Sequence, residues 1–83
     1  MMETLVAVQT VEGQNGKVYQ FSYYRIENGK EYGVCIRDQD GAVAMAPDVT
    51  TRRRSINSLL RSMIRGSVSP ATMVDVVEDW LVK

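Results

Sequence analysis

The first half of the chain alternates apolar and polar residues in short runs, a pattern typical of β-strands. The runs span about residues 4–11, 17–26, 31–37 and 42–46. Turn dipeptides separate them, Asn-Gly at 15–16 and 28–29 and Asp-Gly at 40–41. Because type I′ turns need positive φ, these dipeptides indicate hairpins. The pattern predicts a four-stranded antiparallel meander, which we expect Pro47 to end because proline cannot donate to the strand ladder.

The hydrophobic period becomes that of a helix after Asp48. The first helix, predicted over about residues 51–65, has its apolar positions at Ile56, Leu59, Leu60, Met63 and Ile64. We expect Thr50 or Thr51 to cap its start and Gly66 to end it with positive φ.

A second helix is predicted over about residues 70–82, with Ser69 as its N-cap and Pro70 at the first helical position. Its apolar face contains Met73, Val77, Trp80 and Leu81. The chain is therefore predicted to be one α+β domain of order ββββαα, with both helices packed on one face of the sheet.

The strand pattern predicts apolar side chains on both faces of the sheet. If Tyr23 faces the helices, alternation turns Tyr24 and Ile26 to the open face. A sheet covered on one side usually has a polar open face, so two alternatives remain. Either the open face is a partner or dimer surface, or strand twist and the long side chains of Lys17 and Arg25 cover it.

Composition places the chain among folded globular domains. It has 83 residues, of which 45% are apolar and 24% charged, and ten basic residues balance ten acidic ones. This balance provides no overall field for DNA or an anionic membrane. We expect a cytoplasmic protein, because no segment resembles a signal peptide or membrane span and the one cysteine, Cys35, suits a reducing compartment.

Catalytic and metal-binding residue types are scarce. The chain has no histidine, which is the commonest general base and zinc ligand. One cysteine without a histidine cannot form an ordinary zinc site or a cysteine–histidine nucleophile pair. No glycine-rich phosphate loop occurs. We therefore expect no enzymatic activity, no cofactor and no metal.

Three weaker features also have structural explanations. The carboxylates of Asp75, Glu78 and Asp79 share one helix face. They suit a metal or general-acid cluster, but a solvated helix face is favoured. The segment 38–41 resembles the start of a calcium loop but lacks the closing glutamate, and a hairpin turn is favoured. Cys35 is favoured as an apolar filler over a thiol activated by Arg37.

Arginines are concentrated at the start of the first helix and along it. The candidate partner-binding residues are Arg52, Arg53, Arg54, Arg61 and Arg65, together with Tyr24 of the open sheet face. The helix dipole disfavours N-terminal cations by about 0.3–1 kcal/mol each. The arginines are either a solvated face, partly neutralised by Asp48 and the acidic second helix, or a docking stripe for an acidic protein surface or phosphates.

Several motifs resemble a small uncharacterised family of clostridial proteins. They are FSYYRIE, EYGVCI, the arginine-rich helix start and VSPATMVDVVEDWL. The family pattern combines a YG[VI] strand, a V-[ST]-P turn and a C-terminal helix of the VEDWL type. The resemblance implies a shared fold and no activity, because the family has no known function. The arginine run is denser here than in the family pattern.

The sequence favours a small non-enzymatic protein-binding or regulatory module that uses the apolar sheet face and the arginine-rich helix. Its partner would be an acidic protein surface or a second copy, and phage or mobile-element inhibitors such as anti-CRISPR proteins belong to this class. The alternative is accessory binding of nucleic-acid phosphates by the arginines. A helix-turn-helix reader is disfavoured, because the second helix, which would enter the major groove, is acidic.

Overall fold

The structure is a computed structural model, and it describes residues 1–82. A four-stranded antiparallel sheet precedes two helices, which confirms the predicted ββββαα order and α+β class. The elements are β1 (Met2–Glu12), β2 (Val18–Asn28), β3 (Glu31–Asp38), β4 (Val43–Thr50), α1 (Arg53–Arg65) and α2 (Met73–Val82). Each strand is longer than predicted, because backbone pairing continues beyond the apolar residues.

Three hairpins join neighbouring strands in the order β1-β2-β3-β4. The glycine of each turn has positive φ, 78° at Gly16, 64° at Gly29 and 92° at Gly41. The preceding Asn15, Asn28 and Asp40 do not, so the hairpins are present but are not the predicted type I′ turns, which need positive φ at both central residues. In the third hairpin, the carboxylate of Asp38 accepts a hydrogen bond from the backbone N–H of Asp40 at 2.9 Å. The segment is therefore a hairpin turn, as predicted.

Strand register determines which side chains face the helices. Tyr23 of β2 pairs with Ile36 of β3, and both belong to the buried cluster beneath the helices. The next residue, Tyr24, pairs with Cys35, so alternation turns both to the open face. The predicted directions of Tyr23 and Tyr24 are confirmed.

Both helices bury an apolar stripe against the same face of the sheet. The buried cluster contains Phe21, Tyr23, Val34, Ile36, Ile56, Leu59, Leu60, Met63, Met73 and Val77. Trp80 packs against it while only partly buried. Leu81, which was expected on the apolar face of α2, is 55% exposed. It lies about 80° from Met73 around the helix, at the margin of the buried stripe.

Pro47 does not end β4, which continues three residues beyond it, so that prediction is wrong. β4 is an edge strand, where a proline is tolerated because its missing N–H can face away from the sheet. The pairing is irregular here, with a register shift between Tyr32 and Val34 of β3. Gly33 lies at this shift, where an added Cβ atom would collide with the backbone of Ala46 and Pro47.

The end of α1 also differs from the prediction. Gly66 has φ −86° and Ser67 has φ 51°, so Gly66 does not supply the positive φ. The N–H of Ser67 donates to the carbonyl of Ile64 at 3.1 Å, and that of Val68 to the carbonyl of Met63 at 3.0 Å. These two bonds define a Schellman motif, whose left-handed residue follows the C-cap. Val68 thereby turns back onto the buried cluster.

The connection between the helices is held to the sheet by Tyr23, which is fully buried. Its hydroxyl donates to the backbone carbonyl of Val68 at 2.9 Å. The side-chain oxygen of Gln9 lies 3.5 Å from the same hydroxyl and accepts a hydrogen bond from the Ser67 hydroxyl at 3.3 Å. One tyrosine thus links β1, β2 and the helix connection.

α2 begins at Met73, three residues after its predicted start. A turn precedes it, in which the N–H of Thr72 donates to the carbonyl of Ser69 at 3.2 Å. The hydroxyl of Ser69 lies 3.3 Å from that of Thr72 and does not cap the helix as predicted. The Ser-Pro pair starts a turn of i-to-i+3 type, and the helical i-to-i+4 pattern begins with the bond from Val76 to Thr72.

Candidate protein-interaction surfaces

The first turn of α1 contains arginines and has no side-chain cap. The hydroxyl of Thr50 accepts a hydrogen bond from the N–H of Arg52 at 3.2 Å, which lies before the helix. Arg52 itself is the N-cap residue and makes no side-chain cap bond, so the prediction that Thr50 or Thr51 caps the helix is wrong. The first turn holds no acidic residue. No side chain of this turn therefore offsets the repulsion between the helix dipole and the arginines.

The arginines of α1 form one basic surface, which we call the α1 arginine surface. It consists of Arg52, Arg53, Arg54, Arg61 and Arg65, all of which are exposed. With 3.6 residues per turn, Arg54, Arg61 and Arg65 lie within about 40° of one another around the helix and span about 16 Å. They lie opposite the buried stripe of α1, so the three arginines are on the solvent-facing side of the helix.

Within residues 1–82, the α1 arginine surface makes no ion pair. The ion pairs in this range join Lys17 to Asp40 at 3.5 Å and Arg37 to Glu3 at 2.8 Å. Asp48, expected to neutralise the arginines, lies with its carboxylate 3.4 Å from the side-chain nitrogen of Asn28. The predicted partial neutralisation by direct pairing with Asp48 or α2 is therefore not observed in this range.

α2 exposes an acidic surface on the same layer of the molecule. Its members are Asp75, Glu78 and Asp79, all exposed. In the described part of the chain, no group of three or more His, Cys, Asp or Glu side chains is placed to hold a metal ion. The two helices thus expose opposite charges on separate parts of the surface, although the whole chain has a net charge of zero.

A polar strap crosses the open sheet face above Tyr24. The Arg37 guanidinium lies 4.6 Å from the centre of the Tyr24 ring, within the range of a cation–π contact. The same group contacts the carboxylate of Glu3 at 2.8 Å. The expectation that Lys17 and Arg25 cover this face is wrong, because Lys17 pairs with Asp40 and Arg25 lies beneath the helices.

The rest of the open face contains both apolar and polar side chains. Its exposed apolar members are Leu5, Val8, Val18, Val43 and Met45, and by register Thr10, Gln20 and Ser22 lie among them. Ile26 and Cys35 lie on the same face by register but are fully buried. Apolar side chains therefore lie on both sheet faces, as predicted, but polar residues lie among those of the open face. The strap covers the region around Tyr24.

Cys35 is a free, buried thiol. Burial raises the pKa of its thiol and outweighs the opposing effect of the nearby Arg37 guanidinium. Because the thiolate is the reactive form, this environment favours an inert side chain. The structure supports the interpretation of Cys35 as an apolar filler.

The sheet separates the predicted contact residues into two groups. Tyr24 lies on the open face, partly covered by Arg37. The α1 arginine surface belongs to the helix layer on the other face of the sheet. The structure therefore presents two distinct surfaces, and one flat partner cannot contact both.

Sequence reasoning missed the role of Arg25 on the helix side. Arg25 has the same strand parity as Tyr23, and its Nη1 donates to Oδ1 of Asn57 in α1 at 3.1 Å. Its Nε atom is buried without a hydrogen-bond acceptor. A groove of about 320 Å³ opens beside it, lined by Val6, Arg25, Asn57, Leu60, Arg61 and Ile64. Strand alternation alone was sufficient to place Arg25 beneath the helices.

Comparison with known proteins gives one family. A model described as a family of unknown function (DUF6514) matches residues 2–83. No curated protein and no solved structure matches the chain. The expectation of a family of unknown function is thus confirmed, and the clostridial origin and the specific family motifs stay predictions. Among residues 1–82, no helix is long and apolar enough to cross a membrane.

Proposed function

We propose that this chain, which belongs to the family of unknown function DUF6514, is a small protein-binding module whose α1 arginine surface docks on an acidic surface of another protein. The observation that carries the proposal is five exposed arginines without an ion pair in the described range. Cations at a helix N-terminus cost about 0.3–1 kcal/mol each, so the helix dipole does not explain Arg52, Arg53 and Arg54. Guanidinium groups suit carboxylates, which they bind in bidentate geometry.

The module acts by occupying its partner's surface, without catalysis of its own. The chain contains no histidine, and the raised pKa of the Cys35 thiol disfavours a nucleophile. A free cysteine fits the reducing cytoplasm, where we place the protein. Inhibition of an enzyme such as a CRISPR nuclease is a narrower form of this proposal, and it rests on the small size and neutral charge of the chain alone.

Nucleic acid is the alternative partner of the same arginines. Exposed guanidinium groups bind phosphates, but α2 exposes three carboxylates on the same helix layer, and these would repel a phosphate backbone. The zero net charge provides no long-range attraction either. Protein is therefore the preferred partner.

The test is capture from a lysate of the native host, followed by mass spectrometry. The bait is compared with an Arg61→Gln/Arg65→Gln variant and with a Lys17→Gln/Lys30→Gln control, which loses the same number of positive charges elsewhere. Arg61 and Arg65 are exposed, so their replacement leaves the core intact. We expect the wild type and the lysine control to capture the same protein and the arginine variant to lose it.

Two results would contradict the proposal. If the arginine variant captured the same protein as the wild type, these arginines would form only a solvated helix face. Loss of the captured material on nuclease treatment, with affinity falling steeply as salt rises, would favour nucleic acid.

We also propose that two copies associate through the open sheet face, around Tyr24. The support is the exposed apolar group beside the strap, which includes Val8 and Val43. Sedimentation should show a dimer that dissociates in a Val8→Glu or Val43→Glu variant, because both side chains are half-exposed and lie outside the core cluster. A monomer at high protein concentration would contradict this proposal.

A further inference from the structure

Arg25 is a partly buried cation for which residues 1–82 contain no counter-ion. One nitrogen, Nη1, donates to Asn57 at 3.1 Å, which fixes the orientation of the guanidinium plane. The buried Nε atom has no acceptor. Because burying a charge without a partner is costly, a counter-ion in the groove that contacts the terminal nitrogens of this guanidinium would stabilise it.

The groove beside Arg25 combines positive charge with apolar side chains, so it suits an anionic group that has an aliphatic group next to it. Arg61 of the α1 arginine surface adds a second guanidinium to the lining. Three apolar side chains complete it, those of Val6, Leu60 and Ile64. Val6 is available because the β1–β2 register shifts at this residue, and a bulged residue departs from strict strand alternation.

We propose that this groove holds an Asp or Glu side chain of the partner protein, flanked by an aliphatic residue. Arg25 and Arg61 bind the carboxylate, and the apolar lining contacts the aliphatic neighbour. The inference rests on the proposed function, because it names the anchor point of the same acidic partner. A carboxylate is preferred to a phosphate, since half of the lining is aliphatic and offers no donors to the remaining oxygens of a phosphate.

The experiment is a titration of the ¹⁵N-labelled chain with two capped peptides, acetyl-Leu-Glu-Leu-amide and its Leu-Gln-Leu isostere. We expect saturable chemical-shift changes at the Nε–H of Arg25 and the side-chain amide of Asn57. Charge-assisted hydrogen bonds contribute about 1.5–3 kcal/mol, so the glutamine peptide should bind at least about tenfold more weakly. Equal binding of both peptides, or tighter binding of inorganic phosphate at the same resonances, would overturn the proposal.

Variants identify the residues involved. Arg25→Met should lose the response to the glutamate peptide, whereas Lys30→Met, which removes an exposed cation from the β2–β3 turn, should keep it. If Arg25→Met does not fold, Arg61→Gln decides the question, because Arg61 is exposed and its loss should weaken binding about tenfold. An unchanged response in a folded Arg25→Met protein, or in Arg61→Gln, would overturn the assignment.

Arg65 separates this inference from the proposed function, because it belongs to the α1 arginine surface but not to the lining of the groove. Arg65→Gln should weaken capture of the whole partner and leave the peptide titration unchanged. If the wild type shows no peptide binding while Arg65→Gln still weakens capture, the groove assignment fails and the proposed function stands.

Discussion

Tyr23 connects three segments of the chain through one hydroxyl group. Tyr23→Phe removes the donor to the Val68 carbonyl, which Tyr23 contacts at 2.9 Å. We expect the free energy of unfolding to fall by about 1 kcal/mol, measured by chemical denaturation. Tyr19→Phe is the matched control, and its stability should stay unchanged. If both substitutions changed the free energy of unfolding equally, the hydrogen bond from Tyr23 to Val68 would not contribute to stability as expected.

Burial also raises the pKa of the Tyr23 hydroxyl above its ordinary value of 10.0. The native state then keeps its phenolic proton to higher pH than the unfolded state does. The stability associated with this group is fully present below pH 10.0 and is lost as pH rises through the raised pKa. The stability difference between wild type and Tyr23→Phe should therefore shrink at alkaline pH, and a constant difference would contradict the burial effect.

Ser67 carries positive φ, 51°, without being glycine. Ser67→Gly and Ser67→Ala both remove the hydroxyl that contacts Gln9, so their comparison isolates the backbone. Because a left-handed conformation costs an L-residue about 1–2 kcal/mol, the glycine variant should be more stable than the alanine variant by about 1 kcal/mol. If Ser67→Gly and Ser67→Ala had equal melting temperatures, Ser67 would not have the left-handed conformation.

At this scale, the sequence predicts some features and not others. Alternation correctly turned Tyr23 inward and Tyr24 outward, and the same rule applies to Arg25, which was overlooked. The location of the positive φ could not be predicted, because Gly66 offers that conformation at lower cost than Ser67. Packing of Val68 on the buried cluster decides between them, and packing is not visible in a local sequence pattern.

The β3–β4 pairing depends on Gly33. Gly33→Ala would drive a Cβ atom into the backbone of Ala46 and Pro47, which cannot yield as a flexible side chain can. We expect destabilisation by about 1–3 kcal/mol or more, with thermal unfolding as the measurement. Gly66→Ala is the control, because Gly66 has φ −86° and its nearest contact to an added Cβ is 3.4 Å. If Gly33→Ala and Gly66→Ala lowered the stability equally, the backbone of Ala46 and Pro47 would not lie as close to Gly33 as described.

The start of α1 is an element whose local sequence opposes its structure. Arg52, Arg53 and Arg54 lie at or beside the positive end of the helix dipole, with no acidic residue in the first turn. Replacing all three with Gln should leave the free energy of unfolding unchanged, or raise it by about 0.3–1 kcal/mol per removed charge. Denaturation curves measure this directly. A clear loss of stability would mean that the arginines form structural ion pairs.

The sequence predicted the type and order of the strands and helices better than it predicted the residues at which they begin and end. Periodicity gave all six elements in order, because apolar spacing reflects the buried face of each. The ends depended on contacts from other elements. β4 passes through Pro47 because it lies at the sheet edge, and α2 begins late because a Ser69–Thr72 turn precedes it.

The whole molecule is thin, with extents of 41 × 27 × 16 Å, because one sheet carries one layer of helices. Its two broad faces therefore both reach solvent and have different characters. One is a sheet face with exposed apolar side chains and the Arg37–Glu3 strap, and the other carries a basic and an acidic helix. The sequence predicted both characters. The strap and the Arg25 groove could not be predicted, because each depends on strand register and on helix placement that the residue order does not specify.

The central claim is that the α1 arginine surface serves binding and not folding. The most direct measurement is the affinity of the purified captured partner for the wild type and for an Arg54→Gln/Arg61→Gln/Arg65→Gln variant, beside the free energy of unfolding of each. We expect affinity to fall at least about tenfold while the free energy of unfolding changes little, because the helix dipole disfavours Arg54 in the first turn and favours Arg65 in the last turn. Unchanged affinity, or a parallel loss of affinity and stability, would contradict the claim.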